Sequence, residues 1–229
     1  MKIGPPANSN PPLPGAAKIF SAQPLPIVEL AGRWVRIYRH DRRGAGPLMF
    51  RRAAAGRFDA PNRQFGILYA ARNVDGAFIE VFMRNPVAGQ SRRVIDDQEL
   101  GIRSVAVFSS AKLRLVDLTG AGLSKLGLDV SIVSTRRYDI SRAWAEAFHA
   151  HPQRPDGILY RSRHDPEQTC LALFQRASGK LKLLASDKLA GKNGQRLLAP
   201  ALVKYNVGVV ASSRQGKPGR KQGRQRKSS

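Results

Sequence analysis

Polar and apolar positions alternate along Trp34-Val35-Arg36-Ile37-Tyr38-Arg39, the two-residue period of a first strand with Arg36 on its solvated face. Short apolar runs bounded by turn residues predict further strands over 66–70, 103–108, 113–118, 157–160 and 169–174. Ser109-Ser110-Ala111-Lys112 separates two of these runs at hairpin spacing, and Arg92-Arg93-Val94-Ile95 begins another extended piece. A helical period replaces the alternation at Ala77, Phe78, Val81 and Phe82. The clearest helix spans 137–149, where Ile140, Trp144 and Phe148 recur at four-residue spacing with Ala143 and Ala147 beside them. Thr135 or Asp139 is expected to cap it, and His149-Ala150-His151-Pro152 to stop it. A short helix is expected over 48–55, and another after a Thr119 cap that ends at Gly127.

Between these elements the stretch 56–80 organises the chain. Gly56-Arg57-Phe58-Asp59-Ala60-Pro61-Asn62 is turn-rich, the strand around Tyr69 follows, and Glu80 interrupts the apolar face of the next helix. Loop, strand and helix in that order bring an arginine, a tyrosine and a carboxylate to one cleft. A capped strand and helix whose Glu80 meets a surface arginine would read the same way. Polar Arg161-Ser162-Arg163-His164-Asp165 joins two buried strands, either lining a site or forming a solvated hairpin. Tyr138 and Ser141, in the first turn of the long helix, would suit a bound phosphate or simply cap.

Composition divides the chain. Its 229 residues carry a formal net charge of +23. Residues 31–176 hold 24 Lys/Arg against 14 Asp/Glu, and residues 177–229 hold 13 against one. From Arg214 onward there are seven basic residues and no acid, a tail expected to be disordered and to meet nucleic acid or other polyanions without specificity. The expected parts are a flexible Pro-rich arm over 1–30, a folded domain over 31–176, a peripheral extension over 177–213 and the tail over 214–229. No apolar run is long enough to span a membrane, and the first residues do not read as a secretory signal. The single cysteine, Cys170, lies among Leu171, Ala172, Leu173 and Phe174, as a buried strand thiol would. A cytoplasmic, reducing setting is therefore expected. His149 and His151 lack a third ligand nearby, a weak basis for zinc, and no metal is assigned.

No phosphate-binding glycine loop, H-E-x-x-H or nucleophile elbow occurs. The available chemistry is arginine for a diphosphate, a carboxylate for a developing sugar cation and an aromatic ring for a base. Cleavage of a nucleotide N-glycosidic bond uses such groups better than hydride transfer does.

WVRIYRH, GRFDAPNRQFGILYAARNVDGAFIEVF, RLVDLTG, RRYDISRAWAEAFHAH and DGILYRSRHD, in this order and spacing, resemble the RES domain family over residues 31–176. The resemblance implies an α/β (α+β) fold, a compact mixed-sheet domain similar to diphtheria-toxin-like ADP-ribosyltransferases. It implies an enzyme that degrades NAD at the nicotinamide–ribose bond by phosphorolysis or hydrolysis, the toxin of a bacterial toxin–antitoxin pair. NAD is then the substrate, phosphate an optional co-substrate, and no cofactor is required. The partner would be a helix-turn-helix antitoxin that covers the site. Transfer of ADP-ribose to a protein and a non-catalytic nucleic-acid- or antitoxin-binding module are the alternatives. Matched by position, Arg39 and Arg57 would hold the diphosphate, Tyr69 the nicotinamide side, and Glu80 the reacting ribose. Ser162 matches the strand-end serine, while Ser141 fits a second polar position of the cleft. Asp59 stands where asparagine is more common, and His40 receives no role.

Overall fold

A computed structural model describes residues 11–15, 17–83 and 93–212. The basic tail and the break expected over 86–91 lie outside the described residues. Strand β1, Ile27–Arg39, begins well before the predicted alternation and pairs antiparallel along most of its length with β4, Arg103–Leu118. Gly32 marks an irregularity in this pairing, with φ +134 and the Arg72 guanidinium where a Cβ would stand. β4 runs unbroken for 16 residues, so the expected hairpin at 109–112 does not form. Ser109-Ser110-Ala111-Lys112 contains no residue that demands a turn, and β1 supplies hydrogen-bonding partners straight across Ser109 and Ser110.

The sheet takes the order β1, β2 (Ile67–Ala71), β6 (Thr169–Phe174), β5 (Gly157–Arg161), β4, and the β1–β4 pairing closes it into a ring. β7, Leu181–Lys188, adds to β4 from outside the ring. Only β4 and β5 run parallel within this sheet. Their crossover carries the short helices α4 (Ala121–Lys125) and α5 (Ser131–Ser134) and the long helix α6 (Tyr138–Ala150). Alternating side chains divide the apolar residues between two faces. Val35, Ile37, Ile158, Tyr160, Ala172 and Phe174 join one core with helix α2 (Val74–Phe82) and α6. Trp34, Leu68, Leu159, Leu171 and Leu173 belong to the other core.

Several local expectations change. Residues 48–55 form no helix; Arg51 instead bridges to Ile67 through a pair of backbone hydrogen bonds. Asp117, rather than a helix end, takes the Thr119 hydroxyl, so Gly120 stands at the N-cap of α4 without a side-chain bond. Arg137 occupies the N-cap of α6, again without a side-chain cap; the Thr135 hydroxyl accepts the Arg137 N–H, and Asp139 pairs with the Arg137 side chain. The stretch read as a free arm contains helix α1, Ala17–Ala22, whose buried Phe20 packs on Trp144, Phe148 and His151. Trp144 donates to the Pro12 carbonyl, and His151 meets the Gln23 carbonyl. The region beyond 176 adds β7 to the sheet, then helix α7 (Lys192–Lys204) and strand β8 (Val207–Val210). β8 pairs in parallel with β3, Arg93–Asp96, which runs into helix α3, Asp97–Gly101. Among the described residues, no helix is long and apolar enough to cross a membrane.

Candidate active site

β1 and β2 share one register pair, Val35 with Ala71, and diverge beyond it. A cavity of about 710 Å³ occupies this divergence. Among the described residues nine arginines and two carboxylates, Asp59 and Glu80, line it. An excess of guanidinium groups that large selects for anions.

The carboxylate wall is built by three elements. Asn73 caps α2 by accepting the Gly76 N–H at 2.8 Å, which fixes where the helix starts and so places Glu80 on the turn facing the cavity. Ser162, just past the end of β5 and 1% exposed, donates to Glu80 Oε1 at 2.6 Å. The Ser162 oxygen in turn accepts the His164 N–H at 3.2 Å, so the hydroxyl is polarised toward the carboxylate. Tyr160 lies buried beside this pair; burial first, then the Glu80 charge, pushes its hydroxyl well above the ordinary value and keeps it protonated.

The loop before β2 holds the arginine. Gly56 and Ala55 donate their N–H groups to Asp59 Oδ2 at 2.7 and 3.0 Å, and the Tyr69 hydroxyl donates to Oδ1 at 3.0 Å. Tyr69 also accepts the Phe58 N–H at 2.9 Å. A Cβ on Gly56 would lie 2.6 Å from the Tyr69 hydroxyl, so only glycine permits this closure. Asp59 thus supports the loop, while the Tyr69 hydroxyl is committed to it and leaves the ring to face the cavity. Arg57, projecting from the closed loop, is buried, donates to the Thr135 carbonyl at 2.7 Å and lies 4.7 Å from the Tyr138 ring centre. Burial draws its pKa below the ordinary value, and Arg163 acts in the same direction.

The structure brings Arg39, Arg57, Tyr69 and Glu80 to one cavity, with Ser162 bonded to Glu80 at its edge. Arg39 is one-third exposed and forks onto Asp41 at 3.0 and 2.7 Å, a surface pairing that an incoming phosphate can displace at small cost. Ser141 stands apart. It is fully buried, donates to the Ile132 carbonyl at 2.8 Å and is absent from the described lining of the cavity; its first-turn position lies on the inward, α5-facing side of α6. His40 bonds Ser104, and His149 stacks on Phe65, so both histidines have packing partners. Cys170 is buried, and burial raises its thiol pKa.

Some contributors were not visible in the pattern. Arg36, read as solvated, is 8% exposed and donates to the Met49 carbonyl at 2.7 Å, because the 49–51 segment crosses its face of β1. Arg142 fastens the same arginine loop by donating to the Gly56 carbonyl at 3.0 Å. Tyr205, beyond α7, donates to Asp165 Oδ2 at 2.7 Å and stacks on Phe78 of α2, bracing both the Ser162 loop and the Glu80 helix. Burial opposes ionisation of Asp165, yet bonds from Tyr205 and Gln168 hold its carboxyl below the ordinary range. Lys204 adds a 3.1 Å ion pair to Asp75 at the start of α2.

A ring-closed mixed sheet with a carboxylate–serine pair at an arginine-lined cleft defines this α/β domain. The chain belongs to the RES domain family, whose model matches residues 33–188. "Probable toxin y4kH" of Sinorhizobium fredii (strain NBRC 101917 / NGR234) is 32% identical over 92 residues, 40% of this chain and 70% of that protein. The fold is that of a chain in the crystal structure of the M. tuberculosis MbcT–MbcA toxin–antitoxin complex. That match has 18% identity and a TM-score of 0.58, and it covers 76% of this chain and 92% of the other. The family match ends with β7, leaving α7, Tyr205 and β8 outside it.

Proposed function

We propose that this chain is an NAD-degrading enzyme that cleaves the nicotinamide–ribose bond, and the toxin of a toxin–antitoxin pair. The observation carrying the reading is the Ser162–Glu80 hydrogen bond at 2.6 Å beside an anion-selecting cavity. Arg57, joined by Arg39 once Asp41 yields, holds the diphosphate, and the Tyr69 ring bounds the nicotinamide side. Glu80 faces the reacting ribose. As the C1′–N bond breaks, nicotinamide leaves with the bonding electrons and becomes neutral, while positive charge grows on the ribose C1′ and ring oxygen. A fixed carboxylate stabilises that charge, and Ser162 keeps it aimed without water having to reorganise. The acceptor oxygen then bonds to C1′. Phosphate as acceptor leaves ADP-ribose 1″-phosphate; water leaves ADP-ribose and releases a proton.

The toxin role is supported by the family and by the names of the similar proteins, a probable toxin and a toxin–antitoxin complex. Its partner is then an antitoxin of helix-turn-helix type that covers the cavity mouth. Incubation of the full chain with NAD, with and without phosphate, and identification of all products tests the reading. Nicotinamide release with one of the two ADP-ribose products is expected. NAD left intact by folded protein would overturn the assignment, and label appearing on protein would replace it with ADP-ribosyl transfer.

A further inference from the structure

Two buried arginines, Arg57 on the loop before β2 and Arg36 on β1, line the cavity. Val35 and Ile37 belong to the core shared with α2, whereas Trp34 belongs to the opposite core. Arg36 alternates with Val35 and Ile37, so it lies on the face of β1 away from α2 and Glu80. It still lines the same cavity, because β1 and β2 have already separated there. Burial, with Arg51 adding to it, pulls its guanidinium down to about 10. Among the described residues its one hydrogen bond goes to the Met49 carbonyl. Among the described residues no carboxylate pairs with it. A guanidinium has five donors, and a desolvated cation that shares a cavity with a second cation is unfavourable unless an anion joins them. The backbone bridge between Arg51 and Ile67 holds that second cation at the same wall.

We propose that Arg36 and Arg51 form a phosphomonoester subsite at the end of the cavity remote from Glu80, and that the substrate class includes the dinucleotide phosphorylated on its adenosine 2′-hydroxyl, NADP. The assignment of ends rests on the NAD-cleaving reading. With the reacting ribose at Glu80, a ligand spanning the cavity puts its adenosine at the Arg36 wall. An unmodified adenosine offers these guanidinium groups no anion, whereas a phosphomonoester brings roughly −1.5 to −2 charge and three acceptor oxygens. Orthophosphate acting as the attacking group has to sit at the ribose beside Glu80, on the other face of β1, so this wall is the wrong place for it.

The test is calorimetric binding of adenosine 2′,5′-bisphosphate and of AMP to the full chain, together with turnover of NADP and NAD. Wild type is expected to bind the bisphosphate about tenfold or more tighter, the scale of a charge-assisted contact. Arg51→Gln, at an exposed side chain that leaves the fold intact, should collapse that ratio, and Arg36→Gln should do the same where it folds. Equal affinities in wild type, or a preference that survives Arg51→Gln, would overturn the subsite. Orthophosphate binding that depends on Arg51 without any preference for the bisphosphate would also overturn it, by assigning the wall to free phosphate. A preference that persists while neither dinucleotide is consumed would sink the enzymatic reading and leave the subsite standing.

Discussion

Ser162 and Ser141 are both buried, at 1% and 0% exposure, and each donates one short hydrogen bond. Ser162, past the end of β5, gives its hydrogen to a carboxylate on a cavity wall, 82 residues away in sequence. Ser141, in the first turn of α6, gives its hydrogen to a backbone carbonyl of α5, nine residues away. Burial and a satisfied hydroxyl therefore do not distinguish a cavity-wall pair from a packed core. The acceptor does. A charged acceptor open to a cavity has work to do when a ligand arrives, while a carbonyl inside a helix pair only fastens two helices.

The sharpest way to break this comparison is to remove the charge from the acceptor. Glu80→Gln should fold and bind dinucleotide yet lose turnover by about 10²-fold or more, the scale of a lost preorganised electrostatic contact. Single-turnover kinetics would show it, and near-normal turnover by the folded variant would end the assignment of Glu80. Ser162→Ala and Ser141→Ala then separate the two serines. Loss of a hydrogen bond to a charged group is worth about 1.5–3 kcal/mol, so Ser162→Ala should slow turnover by about one to two orders of magnitude. Ser141→Ala should leave turnover intact and reduce urea-unfolding stability by about 1–3 kcal/mol, since the Ile132 carbonyl loses its side-chain donor in the core. The opposite pattern would exchange the two roles.

Arg57→Lys should raise the KM for dinucleotide about tenfold, because an ammonium cannot bond the Thr135 carbonyl and a phosphate with one planar fork. Steady-state kinetics measure this directly. A smaller effect is expected from Tyr205→Phe, which keeps the stack on Phe78 but drops the bond to Asp165. Amide exchange in the 162–168 loop should rise and kcat should fall a few-fold, on the order of one neutral-to-charged hydrogen bond partly replaced by water. Unchanged exchange there would limit Tyr205 to packing.

The smallest effect concerns His149, remote from the site. Burial, followed by Arg176 and Arg154, lowers its pKa from 6.5 to about 4. The folded state thus resists a proton that the unfolded chain accepts below about pH 6.5. The contribution to stability is complete above that value and declines as pH falls toward 4. His149→Phe keeps an aromatic ring against Phe65 and should flatten stability in that window, as urea melts at several pH values would show.

Most strands and the long α6 helix were legible because their signals are local: short apolar runs bounded by turn residues around Ile158 and Leu171, period 3.6 through Ile140, Trp144 and Phe148. The ordered motifs carried the family and, through it, Arg39, Arg57, Tyr69, Glu80 and Ser162. Alternation alone, however, misread Arg36, since the period says which face a residue takes and not what covers that face. The break expected at Ser109 likewise failed because strand continuity depends on a partner, and β1 lies far earlier in the chain. Residues after 188 showed no motif, yet Lys204 and Tyr205 hold the two elements that carry Glu80 and Ser162. The sequence by itself determined the charge, most of the strands, the long helix and the motif residues of the family, all of which follow from neighbours in the chain. Only the tertiary structure decided which serine meets Glu80, which arginines are buried and what braces them. Those are long-range pairings set by how a closed sheet brings distant segments together.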